Sequence, residues 1–136
     1  MYTAVFVAIF LLIAIALVHF YWATGGTRGL GVAIPTKNGK ALFQPGKLGT
    51  MLVGVVMLGF AWIAYVLAFT EQPPMLVRLF GGAVSLVFIV RTIGDFHTVG
   101  LFKNVKDTPF ARYDTIYYSP LTLFFSIVFG GLAYGL

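Results

Sequence analysis

His19, Trp22, Arg91, Asp95, His97, Arg112 and Asp114 are polar or ionisable residues that fall inside or near the ends of otherwise apolar stretches of this chain. Charged groups are expensive in a bilayer, so each is a functional candidate until a partner accounts for it. Arg91 and Asp95 stand four positions apart, a spacing that places both on one helical face and predicts a mutually neutralising pair. His19 and Trp22, three apart, share a face at the far end of the first apolar stretch. His97 follows Asp95 closely, and Arg112 and Asp114 precede the last apolar stretch. Arginines in such a group offer bidentate, charge-assisted bonds to an anion. A carboxylate beside a histidine, here Asp95 with His19, offers proton exchange near neutral pH. The alternative is structural: ion pairs and hydrogen bonds that tie the helix ends together, with aromatic anchors beside them.

The elements that must position these residues are membrane helices. Of 136 residues, 60% are hydrophobic and 10% charged, against roughly 25% charged in soluble domains. A spanning helix takes about 20 apolar residues, and four such runs are present, at about 2–24, 48–70, 75–96 and 119–136. The first lacks the positive flank and short apolar core of a signal peptide, so it is expected to be retained. Gly25-Gly26 stop it. Glu71-Gln72-Pro73-Pro74 makes a tight hairpin between the second and third, and Ser119-Pro120 reads as the cap and first position of the fourth. The predicted fold is all-α, a four-helix transmembrane bundle in one integral membrane domain covering 1–136.

Lys and Arg concentrate in two long loops: Arg28, Lys37, Lys40 and Lys47 in the first, and Lys103, Lys106 and Arg112 in the second. The positive-inside rule then puts both loops in the cytoplasm and both termini outside, across the inner membrane of a bacterial host. The seven candidate residues map to the cytoplasmic ends of the helices. Arg78 lies near the outer interface with Glu71 as its expected neutralising partner. In the first loop, Val32-Ala33-Ile34-Pro35 and Ala41-Leu42-Phe43 flank Lys37-Asn38-Gly39-Lys40, which predicts a short cytoplasmic β-hairpin flap with a tight Asn-Gly turn. In the second, Thr108-Pro109 reads as the cap of a short interfacial helix. Small residues, among them Gly131 and Gly135 in a G-x-x-x-G, suit close helix packing within the bundle or in a homo-oligomer.

Several chemistries are excluded or unsupported. There is no cysteine, hence no disulfide, thiolate ligand or thiol nucleophile. Gly25-Gly26-Thr27-Arg28-Gly29-Leu30-Gly31 lacks the Walker context, and no G-x-S-x-G is present. No cofactor or metal is expected: His19 and His97 are of the right type for a haem, or with Asp95 for a metal, but lack familiar ligand spacings. The net charge of +5 is explained by topology, so no nucleic-acid partner is expected. The expected partners are the lipid bilayer and a small anionic or lipid ligand.

The chain resembles a family of small bacterial four-helix integral membrane proteins classed as a domain of unknown function. The likeness covers nearly the whole sequence. It rests on His19-Phe20-Tyr21-Trp22-Ala23 leading into Gly25-Gly26, Ile34-Pro35-Thr36, Phe43 with Pro45-Gly46, Arg91-Thr92-Ile93-Gly94-Asp95-Phe96, and Val99-Gly100-Leu101-Phe102-Lys103. Thr108 and the run from Phe110 to Thr115, with Tyr118-Ser119-Pro120-Leu121, complete it. The resemblance implies a membrane protein with these polar motifs on the cytoplasmic side, and no activity. Three functions stay open: binding or transport of a small anionic or amphipathic ligand, an enzyme acting on a lipid-like substrate through Asp95 and His19, and an accessory subunit of a larger membrane complex.

Overall fold

A computed structural model describes residues 1–135. In chain order it comprises α1 (Tyr2–Ala23), α2 (Leu30–Ala33), β1 (Thr36–Lys37), β2 (Lys40–Ala41), α3 (Lys47–Phe69), α4 (Met75–Ile93), α5 (Pro109–Tyr113), a π-helical segment (Asp114–Tyr118) and α6 (Ser119–Tyr134). Four stretches are long and apolar enough to cross a membrane: α1, α3, α4 and the continuous run Pro109–Tyr134. The protein is a multi-pass membrane protein built as an all-α bundle with a two-strand hairpin.

Because the outward face of a membrane helix is as apolar as its core, hydrophobic segregation cannot choose which side packs; small residues that let backbones approach decide it. On α1 the buried stripe is Val5, Ala8, Leu12 and Ala16, whereas Phe6, Phe10 and Leu17 point outward. On α3 it is Ala61, Ala64 and Leu67, and these meet Val84 and Phe88 of α4 and Phe125, Val128, Phe129 and Leu132 of α6 in one core. The tightest pairings are α1 with α3 and α4 with α6. Glycines make room for the larger partners: a Cβ on Gly54 would fall 2.5 Å from the Phe20 ring, and one on Gly131 would fall 2.7 Å from Met1 Cε. Gly131 is thus packed against Met1 inside the chain.

The two ends of the bundle differ. At one, Tyr2 stacks on Phe69 with ring centroids 5.6 Å apart, and Gly135 lies beside the exposed Arg78. Glu71 forms no ion pair with Arg78, so the expected neutralisation is not found among the described residues. At the other end, Tyr118 Oη donates to the Val32 carbonyl at 3.0 Å, joining the first loop to the start of the fourth span.

The expected hairpin is present, and the boundaries that differ from the sequence expectations do so for local reasons. The hairpin pairs Thr36 with Ala41 and Lys37 with Lys40, and Asn38 (φ 55°) and Gly39 (φ 78°) supply the positive φ angles of its turn. Residues 30–33 form a helical turn, not a strand, ended where Pro35 holds Ile34 extended. The third span ends at Ile93, because Gly94 turns the chain away at φ 83°. The fourth starts at Pro109, where Thr108 Oγ1 accepts the Ala111 N–H as anticipated. Ser119 is consequently no cap. Its N–H bonds the Asp114 carbonyl five residues back, and this widened turn relieves the clash that the Pro120 ring would make in a regular α-helix. The expected end at Leu136 lies outside the described residues.

Candidate functional site

At the loop-bearing end, fully buried Asp114 is held by four donors from three segments. Arg91 Nη2 at the last turn of α4 reaches Oδ1 at 2.9 Å, and Ser119 Oγ donates to the same oxygen at 3.0 Å. The Gly100 N–H donates to Oδ2 at 2.8 Å, and Lys103 Nζ lies 3.3 Å from it. Lys103 is itself buried, its ammonium donating to the Gly100 carbonyl at 3.0 Å and to Thr115 Oγ1. A carboxylate out of water is tolerated only when its lone pairs are filled and its charge is opposed, and both conditions hold here.

The loop that delivers Gly100 and Lys103 is shaped by two glycines in mutual contact. Gly94 and Gly100 both have positive φ, 83° and 90°. A Cβ on Gly94 would strike the Val99 carbonyl, and one on Gly100 would come within 2.6 Å of Gly94 Cα and the Ile93 carbonyl carbon. Asp95 sits inside this loop and spends its carboxylate there. Oδ1 accepts the N–H groups of His97, Thr98 and Val99 at 2.9, 2.8 and 3.0 Å, and Oδ2 accepts the Thr98 hydroxyl at 3.0 Å. Desolvation raises the Asp95 pKa, but the bonds from Val99, His97 and Thr98 outweigh it and hold the carboxyl well below the usual carboxylate range.

The expected Arg91–Asp95 pair is thus replaced by Arg91–Asp114. The i, i+4 rule requires an unbroken helix, and the helix stops between the two residues. His97 lies exposed in the same loop, and its carbonyl accepts from Asn104 and Val105 at 2.9 and 2.8 Å. Arg112 is exposed and forms no ion pair among the described residues. His19, Asp95 and His97 do not gather, and no group of three His, Asp or Glu side chains suited to a metal occurs among the described residues. Lys103 was legible in the sequence only as a loop charge; Ser119 only as a cap.

His19 and Trp22 line a second feature, a cavity of about 200 Å³ at the same end of the bundle. Its walls come from α1, α3 and the first loop, including Ile34, Phe43, Gly49 and Thr50. The two rings meet edge to face with centroids 5.1 Å apart. His19 Nδ1 lies 2.7 Å from the Ile15 carbonyl. A carbonyl only accepts, so Nδ1 carries the proton and Nε2 of the neutral ring is an acceptor. Trp22 donates its N–H to the Arg28 carbonyl at 2.8 Å, and Thr50 donates its hydroxyl to the Gly46 carbonyl at 2.9 Å. Those two donors are committed internally; His19 Nε2 has no intramolecular partner. The cavity therefore has mostly apolar walls, with His19 Nε2 and the Thr50 hydroxyl oxygen as side-chain acceptors among its lining residues.

A family model described as a protein of unknown function (DUF3995) matches residues 12–129. The chain belongs to that family. No curated protein and no solved structure matches it.

Proposed function

We propose that this member of the DUF3995 family is a binding protein for a small amphipathic molecule, whose hydrogen-bond-donating end is taken by His19 Nε2 and whose apolar body lies against Ile34, Phe43 and Val53. The observation that carries the reading is the largely apolar cavity at the loop-bearing end of α1 and α3, lined by His19, whose Nδ1 is committed to the Ile15 carbonyl. Most small-molecule sites have this character: apolar walls with a few placed polar groups. Of the anionic and amphipathic ligands considered from the sequence, the second fits this cavity better, because no arginine lines it.

Gly49 permits a direct test. A Cβ built there meets no atom within 4 Å and Gly49 lines the cavity, so Gly49→Leu adds bulk at its wall without a clash at the backbone. Gly59 is equally open but does not line it, which makes Gly59→Leu the control. Native mass spectrometry of detergent-purified protein should show amphipathic adducts retained by wild type and Gly59→Leu and lost from Gly49→Leu. Equal retention by all three would end the proposal.

We infer further that the site faces the cytoplasm across the cytoplasmic membrane, with both termini outside. Exposed Arg28, Lys37, Lys40, Lys47, Lys106 and Arg112 all sit at the loop-bearing end and support that orientation. In intact cells an impermeant thiol reagent should label Gln72→Cys and leave Lys40→Cys unlabelled; the reverse pattern inverts the topology.

A further inference from the structure

A separate cavity, about 750 Å³, lies between the turn of the β1–β2 hairpin and residues 104–109 of the second loop. It lies within the size range of small-molecule sites. Its lining differs in kind from the His19 cavity. Lys37 and Asn38 stand on the hairpin side, and Asn104, Lys106, Asp107 and Thr108 on the other. Neither lysine forms an ion pair among the described residues, where the two salt bridges involve Arg91, Lys103 and Asp114. Asp107 is likewise without a cation. Two lysines contributed by separate loops across one opening, with amide donors beside them, make an electropositive cleft with donors on both walls. Only one carboxylate lies among them.

We propose that this cleft binds a phosphate group, with Lys37 and Lys106 on opposite sides of its oxygens and Asp107 accepting a hydroxyl or amine donor from the rest of the ligand. A phosphomonoester carries about −1.5 to −2 charges and three acceptor oxygens at pH 7, which matches two ammonium groups better than a single carboxylate would. Lysine is suited to this as a compact point charge with three donors. Asp107 would repel a bare anion and favours a phosphate carried by a molecule with donors of its own, such as a glycerol phosphate or an ethanolamine phosphate. A phosphate is offered both by soluble phosphomonoesters and by phospholipid headgroups, the latter as a phosphodiester with a single charge and two free oxygens. The inference does not depend on the His19 cavity, since the two sites have no lining residue in common.

The test uses the full chain in uncharged detergent, titrated calorimetrically with glycerol 3-phosphate and with inorganic phosphate, and in parallel the protein in phosphatidylcholine nanodiscs with and without phosphatidylglycerol, read by native mass spectrometry. Binding in the calorimetric arm assigns the cleft to a soluble phosphomonoester; phosphatidylglycerol retention with no calorimetric signal assigns it to a headgroup. In whichever arm binds, Lys37→Gln and Lys106→Gln should each weaken binding by about tenfold, the usual loss for one charge-assisted hydrogen bond. Lys40→Gln, on the same hairpin but outside the cleft, should change it by less than about twofold. All three lie on exposed loop positions, and an unchanged melting temperature verifies folding. No binding in either arm, or equal weakening by Lys40→Gln and Lys37→Gln, overturns the proposal.

Discussion

Asp114→Asn is expected to destabilise the protein by about 3–5 kcal/mol, the range for removing one partner of a buried ion pair. The substitution keeps the shape but leaves Arg91 and buried Lys103 without a counter-charge, and turns one of the two acceptor oxygens into a donor facing donors. Asp95→Asn provides the contrast. Asp95 is exposed, and an asparagine oxygen can still accept the N–H bonds that organise its turn, so its effect should be several-fold smaller. Unfolding in mixed micelles of increasing denaturing detergent measures both. Comparable losses for the two variants would show that Asp114 is not the charge on which this end of the bundle depends. A Lys103→Met change added to Asp114→Asn should recover part of the loss, because it removes one of the two stranded cations.

Gly100→Ala should be nearly as damaging, at about 3 kcal/mol or more. It places a Cβ on backbone with φ 90°, which alone costs on the order of 1–3 kcal/mol, and drives that carbon into the backbone of Ile93 and Gly94, where no side chain can rotate aside. Relief requires the loop to shift, which withdraws the Gly100 N–H from Asp114 and the Gly100 carbonyl from Lys103. The losses of Gly100→Ala and Asp114→Asn should therefore be less than additive in the double variant. Gly59→Ala, in open space on a helix, should be neutral or slightly stabilising by the same assay. A Gly100→Ala protein as stable as Gly59→Ala would mean that the loop holds its shape by other contacts.

These two residues also show what could be read from the sequence and what could not. The four spans were legible because a bilayer demands long apolar runs, and 22 residues from Tyr2 to Ala23 satisfy it without reference to tertiary structure. The Asn38-Gly39 turn and the Thr108-Pro109 cap were legible because both depend on local backbone geometry. The partner of Arg91 was not. Choosing between Asp95 and Asp114 required knowing that Gly94 breaks the helix, and that glycine is conformationally unusual here only because Val99 and Gly100 return against it. Lys103 was missed for a related reason: a loop lysine counts as a topological charge unless its loop folds back beneath the helix ends. Of the seven candidates, Arg91 and Asp114 became one cluster and His19 and Trp22 another, a division set by helix packing that no spacing in the chain encodes.

The widened turn at Asp114–Tyr118 gives the fourth span two rotational phases. Upstream, Phe110, Ala111 and Asp114 form one inward-facing stripe; downstream, Ser119, Phe125, Ser126, Phe129 and Leu132 form another. Each residue of a regular helix advances the azimuth by about 100°. The π segment takes up one residue within its widened turn, and on either side of it a carboxylate bound for Arg91 and an aromatic core bound for α4 both face inward from one continuous rod. Because the widened turn absorbs one residue, deleting one from 115–117 and returning to regular winding would leave the two stripes in the same rotational relation, whereas adding one would turn them out of phase unless a second such turn formed. The span tolerates changes of side chain along its lipid-facing side, while the rotation from Asp114 to Phe125 is what its winding has to preserve.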